Sequence, residues 1–150
     1  MKTIIDNIQT KLQTIAALKY VDEDWGQLDY YSPNFPVQWP CALIDIADES
    51  YSDLGKDRTK TPQQRQMADC SLTLSIANLK LTNSSGRAPK LQKDNARSIR
   101  ELIDEVHSLL QGWNPEVFAS KLIRKRVQRV KRDDGVQEYN LTYSFSLTDV

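Results

Sequence analysis

Lys121-Leu122-Ile123-Arg124-Lys125-Arg126-Val127-Gln128-Arg129-Val130-Lys131-Arg132 is followed by Asp133-Asp134-Gly135 and then by an alternating run from Val136 to Leu147. The stretch reads as one antiparallel hairpin with two unlike arms. Gly135 supplies the positive φ that a tight hairpin turn requires. In the second arm Tyr139, Leu141, Tyr143, Phe145 and Leu147 fall on one face. Glu138, Asn140, Thr142, Ser144 and Ser146 fall on the other. Apolar residues at period two mark a half-buried strand. The first arm carries seven bases and no acid. Simple alternation puts Arg124, Arg126 and Arg132 on one side and Lys121, Lys125, Arg129 and Lys131 on the other. A strand interior to a two-layer domain cannot bury that many charges without pairing them, so part of this arm stands clear of the core.

The rest of the chain must supply layers for the hairpin to pack on. Residues 3–18 read as an amphipathic helix with Ile5, Ile8, Leu12 and Ile15 at helical spacing, and Thr3 with Asp6 resembles a capping box. Tyr20-Val21 begins a short strand. Ser32 to Pro40, with three prolines, reads as an extended approach to the apolar strand Cys41–Ala47, which looks covered on both faces. Asp45 interrupts that strand and must reach solvent or a base. Asp48 to Gln66 is polar, contains Gly55 and Pro62, and reads as a long loop without regular structure, functional or ordered only against a partner. Gln66 to Leu81 alternates again. Thr82 to Arg87 is a second loop. A second helix runs from Pro89 or Asp94 to Gln111, with its stripe at Ile99, Leu102, Ile103, Val106, Leu109 and Leu110 and with Gly112 at the C′ position. The expected fold is α+β: a two-layer, mostly antiparallel sheet with two main helices on one face and a C-terminal β-hairpin, in one domain over residues 1–150.

The 150 residues carry 20 bases and 20 acids, a formal net charge of zero. A dedicated nucleic-acid binder usually shows a basic excess. The charge is segregated, however. Residues 20–55 hold eight acids and no base, against the seven bases of 121–132. The first set includes Asp22, Glu23, Asp24, Asp48, Glu49 and Asp53. Three adjacent carboxylates do not have the alternate spacing of a calcium loop, so Asp22-Glu23-Asp24 reads as a solvated acidic loop. Cys41 and Cys70 read as buried free thiols in a reducing compartment. The single histidine, His107, lies beside an apolar stripe. The five glycines are isolated, so no phosphate-cradling loop is visible. No catalytic, cofactor-binding or metal-binding residue is expected, and the chain does not read as an enzyme. Asp6 interrupts the N-terminal run before a signal-peptide core can form, and no apolar run approaches membrane-spanning length. These features point to a soluble protein made in a cytoplasm.

The basic arm admits three readings. It is an edge strand protected by Lys and Arg, a phosphate contact, or a surface that docks on acids. Because the chain supplies its own acidic segment, identical copies can join head to tail, and such contacts close into rings when the rotation permits.

The order of elements adds a family resemblance. It is carried by the N-terminal helix, Lys19-Tyr20-Val21, and the approach Phe35-Pro36-Val37-Gln38-Trp39-Pro40 into Cys41-Ala42-Leu43-Ile44-Asp45-Ile46. The helix with Ile99, Leu102, Ile103, Val106 and Leu109 and the C-terminal hairpin complete it. Over nearly its whole length the chain resembles the tail terminator, or minor tail (tail completion), proteins of long-tailed bacteriophages and prophages. The resemblance implies a non-enzymatic structural protein without cofactors. It implies a ring, generally hexameric, that caps the tail tube, ends its polymerisation and forms part of the head–tail joining surface. The implied partners are copies of itself, the tail-tube protein and the head–tail connector protein, with no membrane. The implied location is the bacterial cytoplasm during assembly and then the virion tail. The interface residues expected on this reading are Asp22, Glu23, Asp24, Asp48, Glu49, Asp53, Arg58, Arg65, Lys121, Arg124, Lys125, Arg126, Arg129 and Lys131. A head–tail connector component, or a small nucleic-acid-binding module using residues 121–132, is the alternative.

Overall fold

The computed structural model describes residues 1–29, 36–80 and 82–150. The expected approach at Ser32–Pro40 therefore lies partly outside the described residues. Five strands form one mixed sheet: β1 (Tyr20–Glu23), β2 (Cys41–Lys56), β3 (Gln64–Leu79), β4 (Ile123–Val130) and β5 (Val136–Thr148), in the order β1-β2-β3-β5-β4. β1 pairs with β2 in parallel, and every other neighbouring pair is antiparallel. The helices are α1 (Lys2–Gln13), α2 (Lys90–Ala96) and α3 (Ser98–Leu110). The fold is α+β, as expected.

Period-two alternation builds the core. Leu72, Leu74 and Ile76 of β3 stand opposite Tyr143, Leu141 and Tyr139 of β5. Ile44 and Ala42 of β2 extend the same rows. Ile4, Ile8 and Leu12 of α1 and Ile99, Leu102, Ile103, Val106 and Leu110 of α3 cover this face, forming one buried cluster with it. Burying each such side chain contributes roughly 1.5–3 kcal/mol. On the opposite face a smaller cluster of Leu28, Val37, Cys41, Leu43, Ala77 and Val136 closes one end. Cys41 to Ile44 is thus buried from both sides, which is why that strand reads as continuously apolar. Elsewhere the second face carries small polar side chains: Ser71, Thr73, Thr142 and Ser144.

Three expectations are corrected. α1 begins at Lys2, so Thr3 lies inside the helix and cannot cap it; Asp6 instead accepts from Lys2 Nζ at 2.8 Å. The second helix is broken at Arg97 into α2 and α3. The largest correction concerns residues 48–66. Residues 48–56 and 64–66 belong to the outer halves of β2 and β3, paired from Asp48↔Ser71 to Lys56↔Gln64, and the expected loop is confined to residues 57–63. Bulges between Ile46 and Asp48 and between Asp53 and Gly55 interrupt the ladder. Bulges raise local twist and shift which side a residue faces. The result is a β-arm running out from the core, its β2 residues exposed from Asp48 to Leu54. Val150 anchors its base, exchanging two backbone hydrogen bonds with Gln66, both of 3.0 Å. Among the described residues no helix is long and apolar enough to cross a membrane.

Candidate functional site: two sheet edges of opposite charge

A five-stranded open sheet has two edges, and here they differ in sign. β4 forms one edge. Its residues Arg124, Lys125, Arg126 and Arg129 are all basic, with no acid in the strand. The other side belongs to β1 and β2. Because β1 covers only Cys41 to Ile44, the remainder of β2, Asp45 to Lys56, is itself a free edge. It carries Asp45, Asp48, Glu49 and Asp53 against one base, Lys56. Asp22, Glu23 and Asp24 extend the acidic side along β1 and just past its end. Two strands, β3 and β5, separate the acidic β2 from the basic β4. Among the described residues no ion pair joins these two edges; the pair between the acidic and basic segments, Arg132 with Asp29 at 3.0 Å, lies beyond them. The charge segregation in the sequence is therefore a segregation in space.

The basic edge is not the simple alternation expected. Arg124 pairs with Tyr143 and Arg126 with Thr142, so Lys125 is the extra residue of a bulge. Arg124 and Arg129, opposite Tyr143 and Tyr139, consequently share the helix-covered side. Arg126, opposite Thr142, takes the polar side. Lys121 precedes the strand and Lys131 follows it; both are exposed. Val127 and Ile123 lie among these charges, 41% and 38% exposed. Beside Arg129, a cavity of about 230 Å³ is lined by Lys80, Arg97, Arg100, Gln137 and Tyr139, with no carboxylate. Arg100 sits over the Tyr139 ring at 4.5 Å, a cation–π contact.

On the acidic edge, Tyr51 and Leu54 are each 48% exposed. Tyr51 Oη donates to Glu49 on the same side of the strand, which raises the phenol to about 12. Asp53 accepts from Gln64 Nε2 and from the Gly55 N–H, and both hydrogen bonds lower its pKa. Arg58 lies in the turn at the tip of the arm. Arg65 is engaged within the chain, since its Nε donates to Asp149 Oδ1 at 2.7 Å. Lys60 also pairs with Asp149. These hydrogen bonds hold the Asp149 carboxyl below its usual range and tie the C-terminal segment to the arm.

Arg132, grouped by alternation with Arg124 and Arg126, turns inward and has only 8% of its side chain exposed. Its guanidinium spans Asp29 Oδ1 at 3.0 Å, Glu138 Oε1 at 3.2 Å, Asp134 Oδ2 at 2.6 Å and the Leu28 carbonyl at 2.6 Å. It clamps the β4–β5 turn to the short helical turn at Gln27–Asp29. Burial raises the pKa of Glu138 against the pull of Arg132, while the hydrogen bond from Arg132 lowers that of Asp134. The clue in the sequence was Asp134 two residues on; the contacts to Leu28 and Asp29 span the fold and carry no local signal.

His107 and the two cysteines lie against or within the core. His107 Nδ1 lies 3.4 Å from Tyr143 Oη, and burial followed by the Arg124 charge lowers its pKa. Burial pushes the Cys41 thiol up to about 12 and Cys70 to about 11, which keeps both in the unreactive protonated form.

The architecture is an α+β scaffold with helices on one sheet face and unlike charges on its two free edges. Its distinguishing surfaces are those two charged edges. No family model matches the chain, and no curated protein matches it. Among solved structures it is similar to a chain of the virion of a native gene transfer agent particle. The TM-score is 0.53 at 12% identity, over 96% of this chain and 93% of that one. At this identity the likeness shows a shared fold.

Proposed function

We propose that this chain is a structural protein of a phage-like virion, acting as a tail terminator: copies join into a ring on the tail tube, end its polymerisation and help form the head–tail joint. The observation that carries the proposal is the pair of oppositely charged free edges on one sheet, which suits head-to-tail association of identical copies. The near full-length fold likeness to a chain in a gene transfer agent particle supports a virion context. In this reading the helices and sheet make the monomer, the edges join neighbours, and the tip of the arm with Arg58 reaches the tail tube. No enzymatic step is assigned. The test is electron microscopy of particles made with and without the protein. The reading requires overlong or headless tails when it is missing; tails of normal length on filled heads would refute it.

A second reading, contact with a nucleic-acid backbone, is favoured by the acid-free cavity between Lys80, Arg97, Arg100 and Arg129. It requires DNA binding that weakens steeply with salt.

A further inference from the structure

We infer that the two edges pair with each other between copies of this chain by strand addition, with β4 of one copy laid antiparallel along the free half of β2 of the next and Val127 opposite Tyr51. This rests on the self-assembly proposed above and deepens it from a match of charges to a main-chain contact with a register.

The strand directions allow it. β2 runs antiparallel to β3, β3 to β5 and β5 to β4, so β4 runs opposite to β2. A second copy added in the same orientation therefore brings antiparallel strands together, and unpaired edge groups are templates for such pairing. The charges select the partner. Two β4 edges repel each other, as do two β2 edges, so symmetric pairing is disfavoured and β4 on β2 is favoured.

The side chains select the register. Val127 shares the helix-covered side with Leu141, and Tyr51 shares it with Ala68. Placing these two exposed apolar residues opposite one another sets Arg129 against Glu49. The main-chain pairing stops short of Arg124, whose N–H already donates to Gln111 Oε1 at 2.9 Å. The four side chains of Val127, Tyr51, Arg129 and Glu49 then face the same side. Glu49 arrives beside the acid-free cavity that Arg129 shares with Lys80, Arg97 and Arg100.

The stagger is compatible with a closed ring. Within one copy Val127 stands level with Ile44, through Leu141 and Leu74. Reaching Tyr51 of the next copy shifts it by roughly six residues, one being absorbed by the bulge after Ile46, or ~20 Å at ~3.4 Å per residue. That shift moves β4 clear of β1. Successive β4 strands are four strand spacings apart, about 19 Å, so the strands tilt by roughly 45°, at the upper end of the ~35–45° common in closed barrels.

The test uses two single variants of the full chain, Ser50→Cys and Gln128→Cys, both at exposed positions that this register places opposite each other. Mixed and treated with a short thiol crosslinker, they are expected to give at least tenfold more covalent dimer than Gln128→Cys mixed with Asp45→Cys. In parallel, Glu49→Arg is expected to reduce assembly by light scattering, and adding Arg129→Glu in the same chain to restore it. Assembly without the 50–128 crosslink, or a charge swap that fails to restore it, overturns the register and leaves the structural role standing. Absence of assembly, both alone and with purified tails, overturns the self-association and this contact with it.

Discussion

Arg132 offers the sharpest separation between charge that builds the fold and charge that meets a partner. Consider Arg132→Met, which keeps much of the side-chain volume and removes the guanidinium. It leaves Glu138, 8% exposed, without its cation, and the Leu28 carbonyl without its donor. Breaking a buried ion pair by removing one partner costs about 3–5 kcal/mol. The low end applies here, about 3 kcal/mol, because Asp29 is 74% exposed and is solvated again when released. For a chain of this size that corresponds to a melting temperature lower by roughly 6–12 °C. The loss should depend on pH. Burial already raises the pKa of Glu138, and without the guanidinium it rises further. As pH falls through that value the carboxyl becomes neutral, so the penalty of the variant shrinks from pH 7 to pH 5. Adding Glu138→Gln should recover about 1–2 kcal/mol, a coupling typical of residues in contact. Thermal unfolding by circular dichroism at the two pH values, with the four-member mutant cycle, measures all of this. A loss below 1 kcal/mol, or one that grows on acidification, would refute the clamp.

Three further outcomes follow from the same geometry. Replacing Arg124, Arg126 and Arg129 together by Glu should abolish assembly in light scattering while changing unfolding stability by no more than about 1 kcal/mol, since exposed charges contribute little to folding; an unchanged oligomer counts against the basic edge. Replacing residues 55–64 by Asn-Gly closes the arm with a two-residue turn, and it should spare folding and self-association but impair tail completion, which normal tail length and infectivity would contradict. The Asp134 and Asp149 carboxyls have depressed pKa values. Their contribution is present above the ordinary carboxylate pKa and is lost as pH falls through the depressed one, so an acid titration of wild-type stability should decline there, and Arg65→Ala should blunt the part due to Asp149.

Much of the fold was legible because most strands and helices have one dry side. β5 alternates because the helices cover one of its faces, and the α3 stripe is the complement of the same contact. The β2 half of the arm escaped notice for the converse reason. It is exposed from Asp48 to Leu54 and two bulges break its period, so it read as a loop, whereas the β3 half keeps Ala68 and Cys70 buried and its alternation was legible from Gln66. The bulge at Lys125 hid the true sides of the arginines: alternation put Arg124 with Arg126, whereas the structure puts Arg124 with Arg129. Arg132 and Arg65 owe their places to Leu28, Asp29 and Asp149, distant in sequence and close only after folding. The segregation of acids and bases was visible from composition along the chain. That the two sets lie on opposite free edges required the strand order.

The most direct measurement is the number of copies of this chain in purified particles, by quantitative mass spectrometry against the tail-tube protein. A ring that caps the tube predicts a small fixed number per particle that does not change with tail length. Absence from the particle, or a number that scales with tail length, would contradict the account.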